Sequence, residues 1–380
     1  MSDVFVKNRL RLLLDHFGAV GDPREAAKVK YPLREVLFLV TCATIAGCDD
    51  YDEIADWGDH HLDFLRRYSE YFFGTPQEDW LRVVLNRIDP ALFEACFTAW
   101  AAALRPDAPT LIALDGKTLR RSGDAAAGRK PLHLVSAWAS TQRLVLGQEA
   151  VDAKENECAA ILTILGRLTL KGALVTIDAI ATNPTVAQAI TQGGGDYVLA
   201  LKQNQPTLHG EVARYFDDPA TTGLESLERV DKDHGRIETR RYCISHQVDW
   251  LIGDRRYPDE PRFPAVKSLI KTTTRTEWRG KVTQETRYFI SSARLTPERA
   301  AEAIRGHWGI ESLHWVLDVI FKEDQSRLRR GHGARNMALV RRLAFNLVRA
   351  GRGKRSIKSA RKAAGWNPEL LAALILPQPR

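Results

Sequence analysis

Up to about residue 105 the apolar positions recur every three to four residues, the period of helices that bury one face. The segment PLREVLFLVTCATIAG is the plainest case. Pro32 stands where a first helical turn tolerates proline, and Gly47 stands where a helix can stop. The same spacing predicts helices over Tyr51–Trp57, Leu62–Tyr71, Asp79–Arg87 and Pro90–Leu104. Breaks at Asp89-Pro90 and in RPDAPT put a boundary near Pro106. From Thr110 the pattern changes. LIALDGK, LHLVSAW and RLVLGQEAV are short β-type runs separated by turn residues. Helical spacing over Glu155–Leu168 follows, then the strand ALVTIDAI, a helix over Pro184–Gln192, the strand YVLALK and a helix over Thr207–Phe216. Three consecutive strands and then alternating helix and strand predict an α/β fold, a mixed sheet with helices on its faces.

The alternation then stops. Glu228–His246, Lys267–Thr274 and Gln284–Ser292 read as strands of a separate small β unit, with polar-apolar alternation clearest in RIETRRYCIS. Thr296 next to Pro297 is a helix cap before a proline in the first turn. Helical spacing runs from there, with breaks, to about Arg349.

The formal net charge is +8, and its location changes the picture. Residues 327 to 362 hold 13 Arg or Lys and no Asp or Glu, so the rest of the chain sums to 8 − 13 = −5. A basic run of this kind points to a polyanionic partner. Five cysteines are scattered without metal-site or disulfide spacing, and the odd count without a secretory leader predicts a reducing cytoplasm. The longest uncharged apolar run, Val36–Cys48, is too short to span a bilayer, so no membrane partner is expected.

Three carboxylates carry the candidate chemistry. Asp115 ends LIALDGK, Asp178 ends ALVTIDA, and Glu311 lies in the helical stretch HWGIESLHWVLDVIF. Alone, Asp115 reads as a turn former and Glu311 as a solvated helix position. Asp178 ends a buried strand, where a solitary carboxylate is costly without a partner or a metal. Were the first and fourth strands neighbours, the two aspartates would lie side by side and a helix across the sheet could add Glu311. Such a set suits two divalent cations and phosphodiester chemistry. Glu311, His314 and Asp318 share one helix face. No matching motif exists for a di-iron bundle, so His314 reads as a supporting or packing residue. Trp308 and Trp315 read as core or helix-packing residues.

LIALDGKTLRRS, LVTIDAIATN, DYVLALKQNQ and the long block RGHWGIESLHWVLDVIFKEDQSRLRRGHGARNMALVRRLAFNLVR resemble the signature blocks of insertion-sequence DDE transposases, nearest to the H-repeat-associated family. The helical segments before Pro106 are similar to those that precede the nuclease core in that family. The resemblance spans about Gly21 to Val348. It implies an RNase H-like core over 106–220 completed by helices over 296–350. A helical domain over 1–105 would serve DNA binding or assembly, a β-rich insertion would occupy 221–295, and a basic tail, either gripping DNA or solvated and partly disordered, would occupy 351–380.

The family's acidic triad carries over to Asp115, Asp178 and Glu311, holding two Mg²⁺ ions with Mn²⁺ able to stand in. The implied activity is hydrolysis at the ends of a DNA element and transfer of the freed 3′-hydroxyl into target DNA. The implied partners are double-stranded DNA and a second copy of the chain in the DNA complex, in a bacterial cytoplasm at the nucleoid. Lys117, Lys202, Trp278, His307, Arg327, Arg329 and Arg330 are the expected DNA contacts. The wider superfamily carries Tyr and Arg before the glutamate and Lys seven residues after it; here Ile304, His307 and Asp318 stand at those places. Asn183 stands where Gln is expected. The alternatives are a metal-dependent nuclease of the same fold without strand transfer, and an inactive, domesticated DNA-binding protein.

Overall fold

A computed structural model describes residues 12–104, 108–151, 157–202, 204–233, 235–252 and 262–376. The first helices are α1 (Leu33–Ala46), α2 (Tyr51–His60), α3 (Glu78–Arg87) and α4 (Pro90–Ala103). α1 is buried almost all round and ends at Gly47, whose φ of 113° suits glycine. Asp89 caps α4 by accepting the Ala91 N–H, with Pro90 in the first turn.

Strands β1 (Leu111–Thr118), β2 (His133–Ala139) and β3 (Leu144–Val151) follow, then α5 (Glu157–Arg167), β4 (Leu174–Ile177), α6 (Pro184–Gln192), β5 (Asp196–Leu201) and α7 (Pro206–Asp217). These bounds lie within two residues of those that the apolar pattern predicts, except that β4 stops three residues before the end of ALVTIDAI. After them come β6 (Glu225–Asp233), β7 (Arg236–Ser245), β8 (Ser268–Trp278) and β9 (Lys281–Ser291). The helices α8 (Pro297–His307), α9 (Gly309–Val319), α10 (Gly333–Gly351), α11 (Ile357–Trp366) and α12 (Pro368–Ile375) complete the described chain.

Among the described residues all nine strands form one mixed sheet in the order β3-β2-β1-β4-β5-β9-β8-β7-β6. β1, β4 and β5 run parallel, as βα units require, and the other pairs are antiparallel. The expected separate β unit is therefore corrected: β9 pairs with β5 from Val198↔Ser291 to Leu201↔Tyr288, which continues the sheet into the late strands. Local alternation identifies a strand but not its partner a hundred residues away.

One apolar core lies beneath α5, α6 and α7 on one face of the sheet. A second joins the N-terminal helices to α9, α10, α11, α12 and the opposite face of the sheet through Ala113, Trp138 and Val145. The reading of a loose basic tail is corrected for residues 357–375. There Gly365 sits so close to α1 that a Cβ would lie 2.5 Å from the Ala46 carbonyl oxygen. Arg361, buried, donates to the Thr44 carbonyl at 2.8 Å. The basic run is likewise only partly a surface patch: Arg341 and Arg342 are buried, and Arg335 is held by Glu94 and Glu149. Among the described residues no helix is long and apolar enough to cross a membrane.

Candidate active site

β1 and β4 are parallel neighbours, with Leu114 in register with Ile177. The next residue on each chain is a carboxylate, so Asp115 and Asp178 emerge side by side. Asp115 remains within β1, opposite Ser136, whereas Asp178 follows the last residue of β4 and accepts the Ala179 N–H at 2.6 Å. One pocket is lined by both aspartates together with Glu311, His307, Lys202 and Arg287. The three acidic residues singled out from the sequence thus meet in one place.

Glu311 reaches the pocket because the α8–α9 junction packs closely on the sheet. A Cβ on Gly306 would lie 2.3 Å from Leu111 Cδ2, and one on Gly309 would lie 2.8 Å from Trp138 Nε1. Ser140 Oγ also donates to the Gly306 carbonyl at 2.9 Å. The two glycines of RGHWGIE thereby set the depth at which Glu311 and His307 stand. Ile310, Leu313 and Leu317 take the inward face of α9. Trp308, just before α9, and Trp315 are 38% and 59% exposed, which corrects the core half of their reading as core or helix-packing residues. Arg287 lies over the Trp308 ring at 5.1 Å.

The electrostatics of the two aspartates differ. Burial pushes Asp115 up, the Gly116 N–H partly opposes this, and the charges of Asp178, Glu157 and Glu311 raise it further, to about 7. Burial also acts upward on Asp178, but the Ala179 N–H, Lys202 and His307 outweigh it and hold that carboxyl below its usual range. Lys202 Nζ lies 3.1 Å from Asp178 Oδ1. Burial lowers His307, whose Nδ1 is 2.9 Å from Thr176 Oγ1. His314 Nδ1 stands 3.5 Å from Asp115 Oδ2, and burial with the nearby Arg342 and Lys117 charges pushes it down to about 3. A neutral imidazole therefore faces Asp115 at neutral pH.

The remaining expected contacts are dispersed. Lys117 does not project into the pocket: its buried ammonium pairs with Glu323 at 2.8 Å, with Asp324 at 3.5 Å and with Asp318. That corrects its reading as a phosphate contact, because three carboxylates already take its charge. Trp278 is half-exposed at the β8–β9 turn and pairs with Lys281, seven residues along β9 from the pocket residue Tyr288, about 23 Å away in an extended chain. Arg327, Arg329 and Arg330 are exposed, with Arg329 donating to the Arg121 carbonyl at 3.2 Å. Sequence reasoning missed Arg287 because it lies on a strand outside every motif, and missed the pair Glu323–Arg342, at 2.7 Å, because charged residues are ordinarily read as solvated. Among the described residues no three His, Cys, Asp or Glu side chains are gathered closely enough to hold a metal ion by themselves.

Comparison with known proteins comes to the same region. The family model described as "Transposase DDE domain" matches residues 106–347, and "DDE_Tnp_1-associated" matches residues 14–101. The chain is similar to the "H repeat-associated putative transposase YhhI" of Escherichia coli K12, with 35% identity over 350 residues, 89% of this chain and 90% of that protein. It is also similar to a protein of Xanthobacter autotrophicus named for the dhlA 3′ region, with 41% identity over 285 residues, 74% of this chain and 94% of that one. Among solved structures, a piggyBac transposase synaptic complex with hairpin DNA aligns over 97% of this chain and 80% of its own, at 10% identity and a TM-score of 0.47.

Proposed function

This chain belongs to the DDE transposase family, and from that premise we propose that it cuts DNA at the ends of a mobile element and joins the freed 3′-hydroxyl to target DNA. The observation that carries the proposal is the meeting of Asp115, Asp178 and Glu311 in one pocket, with the two aspartates at matching positions on parallel strands. The strand order β3-β2-β1-β4-β5 with helices on both faces supports an RNase H-like core, which β6–β9 extend.

The pocket fits Mg²⁺. Asp115 is raised by burial and by like charges, so a cation arriving beside it relieves a standing cost. Its donors are oxygens, and Mg²⁺ ordinarily takes one or two carboxylates plus water and substrate phosphate rather than an all-protein cage. Asp115, Asp178 and Glu311 are the residues that would hold two such ions, with Mn²⁺ as a substitute. When bound, the ions would polarise the scissile phosphate and activate the attacking oxygen. Lys202 and Arg287, both lining the pocket, supply positive charge towards which a phosphodiester is drawn. His307, whose pKa burial lowers, offers a hydrogen bond where the wider superfamily has arginine. Water would attack at the element's end, and the 3′-hydroxyl so released would attack target DNA in line. Two copies of the chain would bring two ends together.

Asp178→Asn tests the reading. Mg²⁺-dependent nicking of duplex DNA should fall to the level without enzyme, while DNA affinity stays equal or rises because a repelling charge is gone. Nicking close to wild type would reject the site. A pre-nicked end presented with target DNA reports joining, and cleavage without joining would leave a nuclease of the same fold.

A further inference from the structure

On the other side of the α8–α9 junction from the carboxylates lies a cleft of about 370 Å³. Its floor is apolar, formed by Trp138, Leu313 and Phe345, and its rim carries Arg143 from the β2–β3 turn, Arg305 from α8 and Arg349 from α10. No Asp or Glu lines it. Interior arginines elsewhere are matched: Arg335 by Glu94 and Glu149, and Arg342 by Glu323. Among the described residues Arg143, Arg305 and Arg349 form no ion pair, and the Trp138 indole N–H in the cleft wall has no acceptor. Burial, then the charges of Arg352 and Arg143, hold the Arg349 guanidinium below its usual range. Arg143 and Arg305 are exposed and Arg349 is half-buried, so three like charges bordering one cleft make a place to which an anion is drawn.

The size and the surroundings select the anion. A volume of about 370 Å³ lies at the small end of the roughly 300–1,000 Å³ range for ligand sites, enough for one nucleotide-sized group and not for a duplex. The cleft is continuous with the carboxylates. Arg305, Gly309 and Ser312 also line a shallow shelf with Trp308, Glu311 and Trp315, and Trp308 and Glu311 line the catalytic pocket. Arg305 near the end of α8 and Glu311 in the first turn of α9 stand on either side of the α8–α9 junction and line the same shelf.

We propose that Arg143, Arg305 and Arg349 clasp one backbone phosphate of the DNA strand that enters the carboxylate pocket, on the flank of the bond that is cut. The clasp rests on the function proposed above but is read out by binding alone. Each neutralised phosphate contributes about 0.9 to the slope of log affinity against log salt concentration. The Arg143→Gln/Arg349→Gln double variant, titrated by anisotropy with a short nicked duplex in metal-free buffer, should lose about one unit of slope. Arg305→Gln, at an exposed position, should lose a similar amount and carries the test if the half-buried Arg349 variant no longer melts cooperatively. Arg67→Gln, which removes an exposed partner of Glu369 on the helical side, should leave the slope unchanged. Natively melting Arg143, Arg305 and Arg349 variants with wild-type slopes would overturn the clasp. Wild-type protein that binds with the full slope, loses it in these variants and never nicks would sink the catalytic reading and leave the clasp standing.

Discussion

Two groups of carboxylates lie against the same strand and helix, and they are treated in opposite ways. Towards one end of the β1–α9 contact, Asp318, Glu323 and Asp324 close round Lys117, while Arg342 reaches Glu323 at 2.7 Å. Burial acts to raise Glu323, yet the Arg342 and Lys117 charges overcome it and hold the carboxyl at about 2. Two residues back along β1, Asp115 is also largely enclosed but meets only other acids and a neutral histidine, and stands at about 7. In the first group Glu323 is balanced within the chain and Arg120 reaches Asp324 at 3.4 Å, while burial still raises Asp318 despite Lys117; the group braces α9 against β1. The second lacks its counter-charge, and a cation from solution together with a substrate phosphate is what would complete it. The comparison separates structural from functional acid by what balances the charge, a distinction that burial alone does not make.

Breaking the brace should give the largest effect. Arg342→Met leaves Glu323 buried without its main partner and should cost about 3–5 kcal/mol, measured by urea unfolding. Adding Glu323→Leu should restore much of that stability, because an apolar pair replaces the ion pair. A small effect in the single variant would mean that Lys117 alone balances Glu323.

The pH response sharpens the contrast. Glu323 is depressed in the folded state, so its contribution is complete above its ordinary value near 4.5 and is lost as pH falls through about 2. Asp115 is raised, so the folded protein binds the extra proton, and metal-free stability falls as pH rises from about 4 to about 7. Asp115→Asn should abolish that second slope and leave the metal-free protein as stable as wild type or more so near neutral pH, while ending catalysis. A slope between pH 4 and 7 that survives the substitution would place the titration elsewhere. The smallest effect is expected at the exposed arginines. Neutralising Arg327, Arg329 and Arg330 should weaken DNA binding and flatten its salt dependence by about 0.9 for each phosphate that is no longer neutralised, and an unchanged slope would show that they face away from DNA.

Much of this was legible in the chain. The strands that carry Asp115 and Asp178 follow from their apolar runs, whereas their adjacency entered only as a condition, which the pairing of β1 with β4 meets. What escaped was long-range. The pairing of β9 with β5 cannot be read from either strand, because register and partner are set by the whole sheet. The buried arginines could not be told from surface ones, because Arg342 and Arg361 find their partners at Glu323 and Thr44, outside any local motif. Trp308 and Trp315 have the spacing of a buried stripe, but Ile310, Leu313 and Leu317 compete for the inward face and win it.

The central claim is that Asp115, Asp178 and Glu311 are completed by metal ions, whereas the neighbouring acids are not. Anomalous diffraction at the manganese edge, from crystals of the protein bound to a nicked duplex and soaked in Mn²⁺, tests it most directly. The account predicts density at the Asp115 and Asp178 carboxylates and none beside Glu323. Density confined to the Asp318–Asp324 group, or absent from the aspartate pair while DNA occupies the groove, would contradict it.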